Sequence, residues 1–318
     1  MIRKTFLFSP FSLLIISLLI SSGCASKDLQ RTNLRKTSEF LKVIEKQKAS
    51  AEDRAEEKLP PLTSEGLERL GDQYLVQGKT ELAFKQYNEA LDLNPDQERI
   101  RYKIGRLFLE KGMTVEAKAE FQKILKKNPN YALAYEGLGR TYFNVRSFPE
   151  AKTNFMQALK YEPRLWEAHN FLGIIFDRNG QYDEALSHYK AAISIKPKSE
   201  FLFNNLGISL YLKGDYGKAI LAFEEGLRID PSNSKINNNL GLTLSKLGRY
   251  QEALAAFKKG GEEGSAYYNL GCVYMVQGRY HESIEAFQKA IEIKPEFYNS
   301  AYENMKKAKA ALNNPSLK

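Results

Sequence analysis

The residues best suited to chemistry in this chain are a run of asparagines: Asn170, then Asn204 and Asn205, then Asn238 and Asn239, then Asn269. Asparagine has below-average helix propensity, so its return shortly before successive Leu or Leu-Gly positions calls for a reason other than helix formation. An amide carries both donors and an acceptor, so a ladder of them can satisfy the N–H and C=O groups of an extended peptide without demanding a particular sequence. Phe171, Phe201, Ile208, Leu242 and Tyr268 stand near those amides and would supply apolar pockets for alternate side chains. One hydrogen bond contributes only about 0.5–1.5 kcal/mol net, so binding needs several amides plus one or two apolar anchors, and micromolar affinity is the expectation. The same amides have a second reading, in which they bond to the neighbouring structural unit or to water.

Other chemistry is scarce. Three histidines, His169, His188 and His281, and two cysteines, Cys24 and Cys272, leave little raw material for a metal cluster or a disulfide framework. Glycine-rich phosphate loops, a nucleophile elbow and paired catalytic carboxylates are absent from the sequence, which argues against an enzyme with a small-molecule substrate or cofactor. The formal charge of +9 comes from 47 Lys and Arg against 38 Asp and Glu. These are interspersed along the whole chain, the pattern of a solvated surface rather than of a nucleic-acid footprint.

The elements that must position these groups follow from a period of 34 residues. Gly71, Gly105, Gly139, Gly173, Gly207 and Gly241 are each 34 apart; Ala83, Ala117, Ala151, Ala185, Ala219 and Ala253 keep the same interval. Tyr87, Phe121, Phe155, Tyr189, Phe223 and Phe257 form an aromatic column, and a proline column from Pro95 to Pro231 separates the units. Within 200–233, Phe203, Leu206, Leu210, Ala219 and Phe223 fall at spacings of three and four with Gly214 between, which predicts two amphipathic helices joined by a turn. Gly207 and Ala219 would be small where the two helices cross, and Phe223 would fill space between units.

These columns resemble the tetratricopeptide repeat over residues 64–297. The resemblance implies an all-α fold, a right-handed superhelical solenoid of about seven helix-turn-helix repeats: 64–97, 98–131, 132–165, 166–199, 200–233, a shortened 234–263, and 264–297. Residues 298–313 read as a capping helix and 314–318 as a tail. In such a solenoid the first helix of each unit lines the concave side, and Asn205, Asn239 and Asn269, at equivalent places, resemble the asparagine ladder with which some members grip a peptide backbone. The mixture Glu68, Asp72, Lys103, Glu136 and Arg140 on the earlier units does not resemble the carboxylate clamp of other members.

Residues 1–23 have the organisation of a secretory leader: Arg3 and Lys4, an apolar stretch from Phe6 to Ile20, then Ser21-Ser22-Gly23 before Cys24. The Gly-Cys pair resembles a bacterial lipoprotein box, although Ser21 stands where that pattern prefers Leu. The resemblance implies lipidation of Cys24, a membrane tether, and, because Ala25 rather than Asp follows, an outer-membrane lipoprotein facing the periplasm; an inner-membrane anchor or plain secretion are the alternatives. Residues 24–62 read as a charged linker. Together these features are similar to the lipoproteins that assist pilus and secretion-pore assembly, the tight-adherence (Flp) pilus group among them. The function they imply is an interaction scaffold for extended segments of other envelope proteins, the alternative being an adaptor that recruits or regulates peptidoglycan hydrolases or envelope proteases.

Overall fold

The computed structural model describes residue 42, residues 63–295 and residues 298–313. The leader, Cys24, the rest of the linker and the tail lie outside the described residues. Among the described residues every element is a helix: α1 Ser64–Val76, α2 Thr80–Leu93, α3 Glu98–Glu110, α4 Thr114–Lys127, α5 Ala132–Asn144, α6 Phe148–Tyr161, α7 Trp166–Arg178, α8 Tyr182–Ile195, α9 Glu200–Lys213, α10 Tyr216–Ile229, α11 Ser234–Lys246, α12 Tyr250–Gly260, α13 Glu263–Val276, α14 Tyr280–Ile293 and α15 Tyr298–Asn313. They form two compact units, residues 63–175 and residues 176–313, with the boundary inside α7.

In the first unit α1 pairs with α2, α3 with α4 and α5 with α6, while α2 packs on α3 and α4 on α5. In the second, α9 pairs with α10, α11 with α12 and α13 with α14; α8 packs on α9, α10 on α11 and α12 on α13, and α15 closes against α14. Hairpins stacked in this way make an all-α solenoid. No helix of the described residues is long and apolar enough to cross a membrane.

Each turn inside a hairpin is closed by one residue in the left-handed region, after which the chain bonds back into the helix. Gly78, Gly214 and Gly248 have φ of 72°, 91° and 74°. Behind them Lys79 N–H donates to Tyr74 O at 2.8 Å, Asp215 N–H to Leu210 O at 2.9 Å and Arg249 N–H to Leu244 O at 3.0 Å. These are six-to-one C-terminal motifs that satisfy carbonyls the helix leaves open. The third hairpin makes the same turn with Arg146 at φ 64°.

The glycine and aromatic columns are two halves of one contact. A Cβ added to Gly207 would stand 2.5 Å from Phe223 Cε1, and one on Gly105 would stand 2.6 Å from Phe121 Cε1. Gly71 and Tyr87, Gly139 and Phe155, Gly241 and Phe257, and Gly271 and Phe287 repeat the arrangement. The close approach expected at Gly207 is thus made by a ring of the paired helix: Phe223, expected to fill space between units, lies against Gly207 of its own hairpin in the room left by the missing side chain. These rings are fully buried. The ring of Phe121 also abuts Gly137 of the following hairpin, so one side chain fixes both the pairing and the stacking.

A correction concerns α9, which the spacing predicts to be amphipathic. Lys213 is its one exposed residue, because α8, α10 and α11 all pack around it. A helix enclosed on several sides has no polar face to conserve. Where Ser283 stands in the alanine column, its hydroxyl is fully buried and donates to Gly271 O at 2.8 Å. The shortened sixth hairpin ends at Gly260, beside which a Cβ would lie 2.8 Å from Asn238 Oδ1 and 3.0 Å from Ser234 O.

Candidate functional site

The face in question belongs to the first helices of the hairpins, at the positions three and two residues before the glycine column. The first of these positions holds Glu68, Tyr102, Glu136, Asn170, Asn204, Asn238 and Tyr268; the second holds Arg69, Lys103, Gly137, Phe171, Asn205, Asn239 and Asn269. Of the sequence-predicted residues, Asn170 and Phe171 lie in the unit of residues 63–175 and the other nine in the unit of residues 176–313.

In the second unit Asn239 Nδ2 donates to Asn204 Oδ1 at 2.8 Å, across from α11 to α9. Asn239 is buried and Asn204 half-buried. The pair ties one hairpin to the next, which is the structural reading of these amides. The next step along the same face differs, because the shortened hairpin brings Asn269 of α13 four residues early relative to Asn238 of α11. Asn238 and Asn269 are half-buried, and neither makes a side-chain hydrogen bond among the described residues. Ile208 packs at the edge of the cluster around Phe223, and Leu242 at the edge of the cluster around Phe257, so each presents part of its surface beside the amides. Phe201 is half-buried at the start of α9, with Lys196 Nζ 5.7 Å from its ring centre.

Tyr268 is held from the far side. Asn304 of α15 donates to Tyr268 Oη at 3.1 Å, the ring packs 5.6 Å from that of Phe287, and burial pushes the phenol up to about 12. Burial likewise pushes the neighbouring Cys272 thiol up to about 11, so it is a protonated, unreactive packing group at neutral pH. Phe171 is engaged in a ring stack, 4.9 Å from Phe143 and 5.1 Å from Phe155, the latter nearly parallel at 4°. Its ring packs the hairpins together. Asn170 is buried.

The first unit uses charge where the second uses amides. Lys103 Nζ lies 2.6 Å from Glu68 Oε1 and 2.7 Å from Asp72 Oδ1, and Arg99 reaches Glu68 Oε2 at 2.5 Å. Glu68 and Lys103 occupy the positions that Asn204 and Asn239 hold in the later hairpins, again 35 residues apart. Burial tends to raise Asp72, but hydrogen bonds from Lys103 and Tyr87 outweigh it and hold the carboxyl below its ordinary range. Glu136 has no such cation: it is only 3% exposed, and burial together with Glu167 pushes it up to about 8, against the pull of Arg140 and Arg106. Asp177 of α7 accepts from Ser209 at 2.6 Å and from Tyr189 at 2.9 Å; burial pushes it up to about 6 in spite of both bonds. The perturbation of neither acid is visible in the sequence, since its largest cause is burial by the packing of the helices.

His169 Nε2 sits 3.1 Å from Pro163 O, and His188 stacks on Phe176 at 5.3 Å. Among the described residues no three His, Cys, Asp or Glu side chains are grouped to hold a metal ion.

Profiles of the tetratricopeptide repeat match residues 100–131, 136–200, 238–260 and 264–297, and a TPR repeat profile matches 71–112 and 209–248. The chain belongs to the tetratricopeptide repeat family. Among solved structures it is similar to a tetratricopeptide repeat protein from Parabacteroides merdae, at 17% identity and a TM-score of 0.52 over 77% of this chain and 98% of that one. It is similar also to a chain of the APC/C hetero-tetramer Cut9-Hcn1, at 17% identity and a TM-score of 0.52 over 79% of this chain but 50% of that one. MamA from Desulfovibrio magneticus matches at 22% identity and a TM-score of 0.49 over 54% of this chain and 97% of that one. No curated protein sequence matches the chain. The architecture of this tetratricopeptide protein is that of a protein–protein interaction scaffold.

Proposed function

We propose that this chain is a tethered adaptor of the bacterial envelope that holds an extended segment of a partner protein against the first helices of its later hairpins, without catalysis of its own. The observation that carries this reading is the open step at Asn238 and Asn269. Where Asn239 donates to Asn204, neither Asn238 nor Asn269 makes a side-chain hydrogen bond among the described residues; this leaves the amide of Asn269 and the Nδ2 donors of Asn238, whose Oδ1 lies against Gly260, for a ligand. A strand laid there exchanges N–H and C=O bonds with two amides and rests alternate side chains on Leu242 and Ile208, a mode that reads backbone rather than sequence.

The leader and Cys24 support a lipid tether, and the position after it supports the outer membrane facing the periplasm. A tethered backbone-reading scaffold fits the assembly of a pilus or secretion machine. The reading is tested by fluorescence anisotropy with tiled peptides from envelope proteins encoded beside this chain. Asn238→Ala with Asn269→Ala is expected to weaken the best peptide at least about tenfold, the loss of two net hydrogen bonds. An unchanged affinity in that variant contradicts the site.

A further inference from the structure

The second hairpin departs from its own repeat in several places at once, and the departures meet. Position 101 holds Leu67 and Tyr135 in the adjacent hairpins, His169, Phe203 and Asn237 in later ones, and Arg101 here; position 127 holds Leu93, Tyr161 and Ile195 elsewhere but Lys127 here. Arg101, Lys123, Lys126 and Lys127 alone line a cavity of about 300 Å³ between α3 and α4. Lys123, Lys126 and Lys127 are three and four residues apart, so their ammonium groups leave α4 on one face.

Two carboxylates answer these four cations. Glu120 takes Arg101 Nη1 at 2.7 Å and Lys123 at 2.5 Å, and Asp96 pairs with Lys127. Lys126 has no carboxylate partner among the described residues. Two positive charges are thus left over where these four cations meet, after Glu120 and Asp96 are counted. Basic residues in a last helical turn complement the helix dipole, which accounts for Lys126 and Lys127. Lys123, a turn earlier, and Arg101, on the other helix in a place that the two adjacent hairpins fill with apolar side chains, share the single carboxylate of Glu120.

We propose that this cavity binds a phosphate group, either free or carried on a lipid headgroup. The Arg101 guanidinium is already committed, with Nη1 on Glu120 and Nη2 donating to Pro95 O at 3.1 Å, so the fork that would grip a carboxylate in two places is occupied. What remains is the ammonium of Lys126, which has no carboxylate, and the spare N–H donors of Lys123 and Lys127, each held by one carboxylate; such point charges suit a multiply charged tetrahedral anion. The volume is at the small end of ligand pockets, enough for a headgroup and more than a bare ion requires.

The test uses the full chain carrying Cys24→Ala, so that acylation cannot supply membrane binding. Inorganic phosphate is titrated while amide shifts of residues 98–127 are followed, and flotation is measured with phosphatidylglycerol and with phosphatidylcholine vesicles. Lys123→Gln, Lys126→Gln and Lys127→Gln together are expected to weaken binding at least about tenfold. The matching Lys→Arg set should retain it, and melting curves of both variants show whether the fold is kept. Binding to phosphatidylglycerol alone identifies a headgroup; binding to phosphate identifies a soluble ligand. Binding to neither probe, or equal binding by parent and Gln variant, overturns the proposal, as does tighter binding of polyglutamate than of phosphate.

Discussion

Asn239 and Asn204 are bonded amide to amide at 2.8 Å between α11 and α9, in the same two positions where Lys103 and Glu68 are bonded charge to charge at 2.6 Å between α3 and α1. One geometric slot thus serves as a link between hairpins in either chemistry. Asn239→Ala removes the donor and strands Asn204 Oδ1 in a half-buried place, which should lower stability by about 1 kcal/mol. Urea unfolding of the variant beside the parent measures it. Lys103→Ala should do more damage, since it leaves the nearly buried Glu68 with Arg99 alone.

The ring-on-glycine contact makes the two columns interdependent. Phe223→Ala is expected to cost about 3–5 kcal/mol, and Gly207→Ala about 1–3 kcal/mol by overpacking against the ring. Calorimetry of both variants checks the order. A Gly207→Ala variant as stable as the parent would mean that the ring has room to move aside.

Arg146 is the one described non-glycine residue in the left-handed region, at a turn that glycine makes in the other hairpins. Arg146→Gly should raise stability by up to about 1 kcal/mol, the relief of left-handed strain less the added entropy of an unfolded glycine. Gly214→Ala, at φ 91°, should lower it by a similar amount. The comparison of melting temperatures reads both.

Glu136 sets a pH dependence of known sign. Its carboxyl titrates at about 8 in the folded protein against an ordinary value of 4.5, through burial first and Glu167 second. Between those values the folded state holds a proton that the unfolded state has lost, so this group's contribution to stability falls as pH rises from about 4.5 to about 8 and is level outside that window. Glu136→Gln keeps the neutral form at every pH. The stability difference between the variant and the parent should therefore grow in the variant's favour across that interval, as urea titrations at several pH values would show.

The 34-residue columns made the hairpins legible from sequence, because each column answers a packing need that recurs identically. The asparagines were legible as a set but not as individuals. Whether an amide is engaged or open depends on the register between hairpins, which changes where the sixth repeat loses four residues, so that Asn204 and Asn239 meet while Asn238 and Asn269 do not. Phe171 read as a pocket wall because an aromatic beside an amide has that look; its ring stack with Phe155 and Phe143 is formed by side chains 16 and 28 residues away. The raised pKa values of Glu136 and Asp177 were not legible either, because burial, their largest cause, comes from how the helices pack.

The central claim is that Asn238 and Asn269 receive a partner's backbone, and in-cell photo-crosslinking tests it most directly. A photoreactive amino acid replaces Leu242, beside the open amides, in the parent and in the Asn238→Ala, Asn269→Ala variant, and captured proteins are identified by mass spectrometry. The adaptor reading predicts that one envelope protein, crosslinked through an extended segment, dominates the parent sample and is lost in the variant. Capture of the same partner at the same yield in both would contradict it.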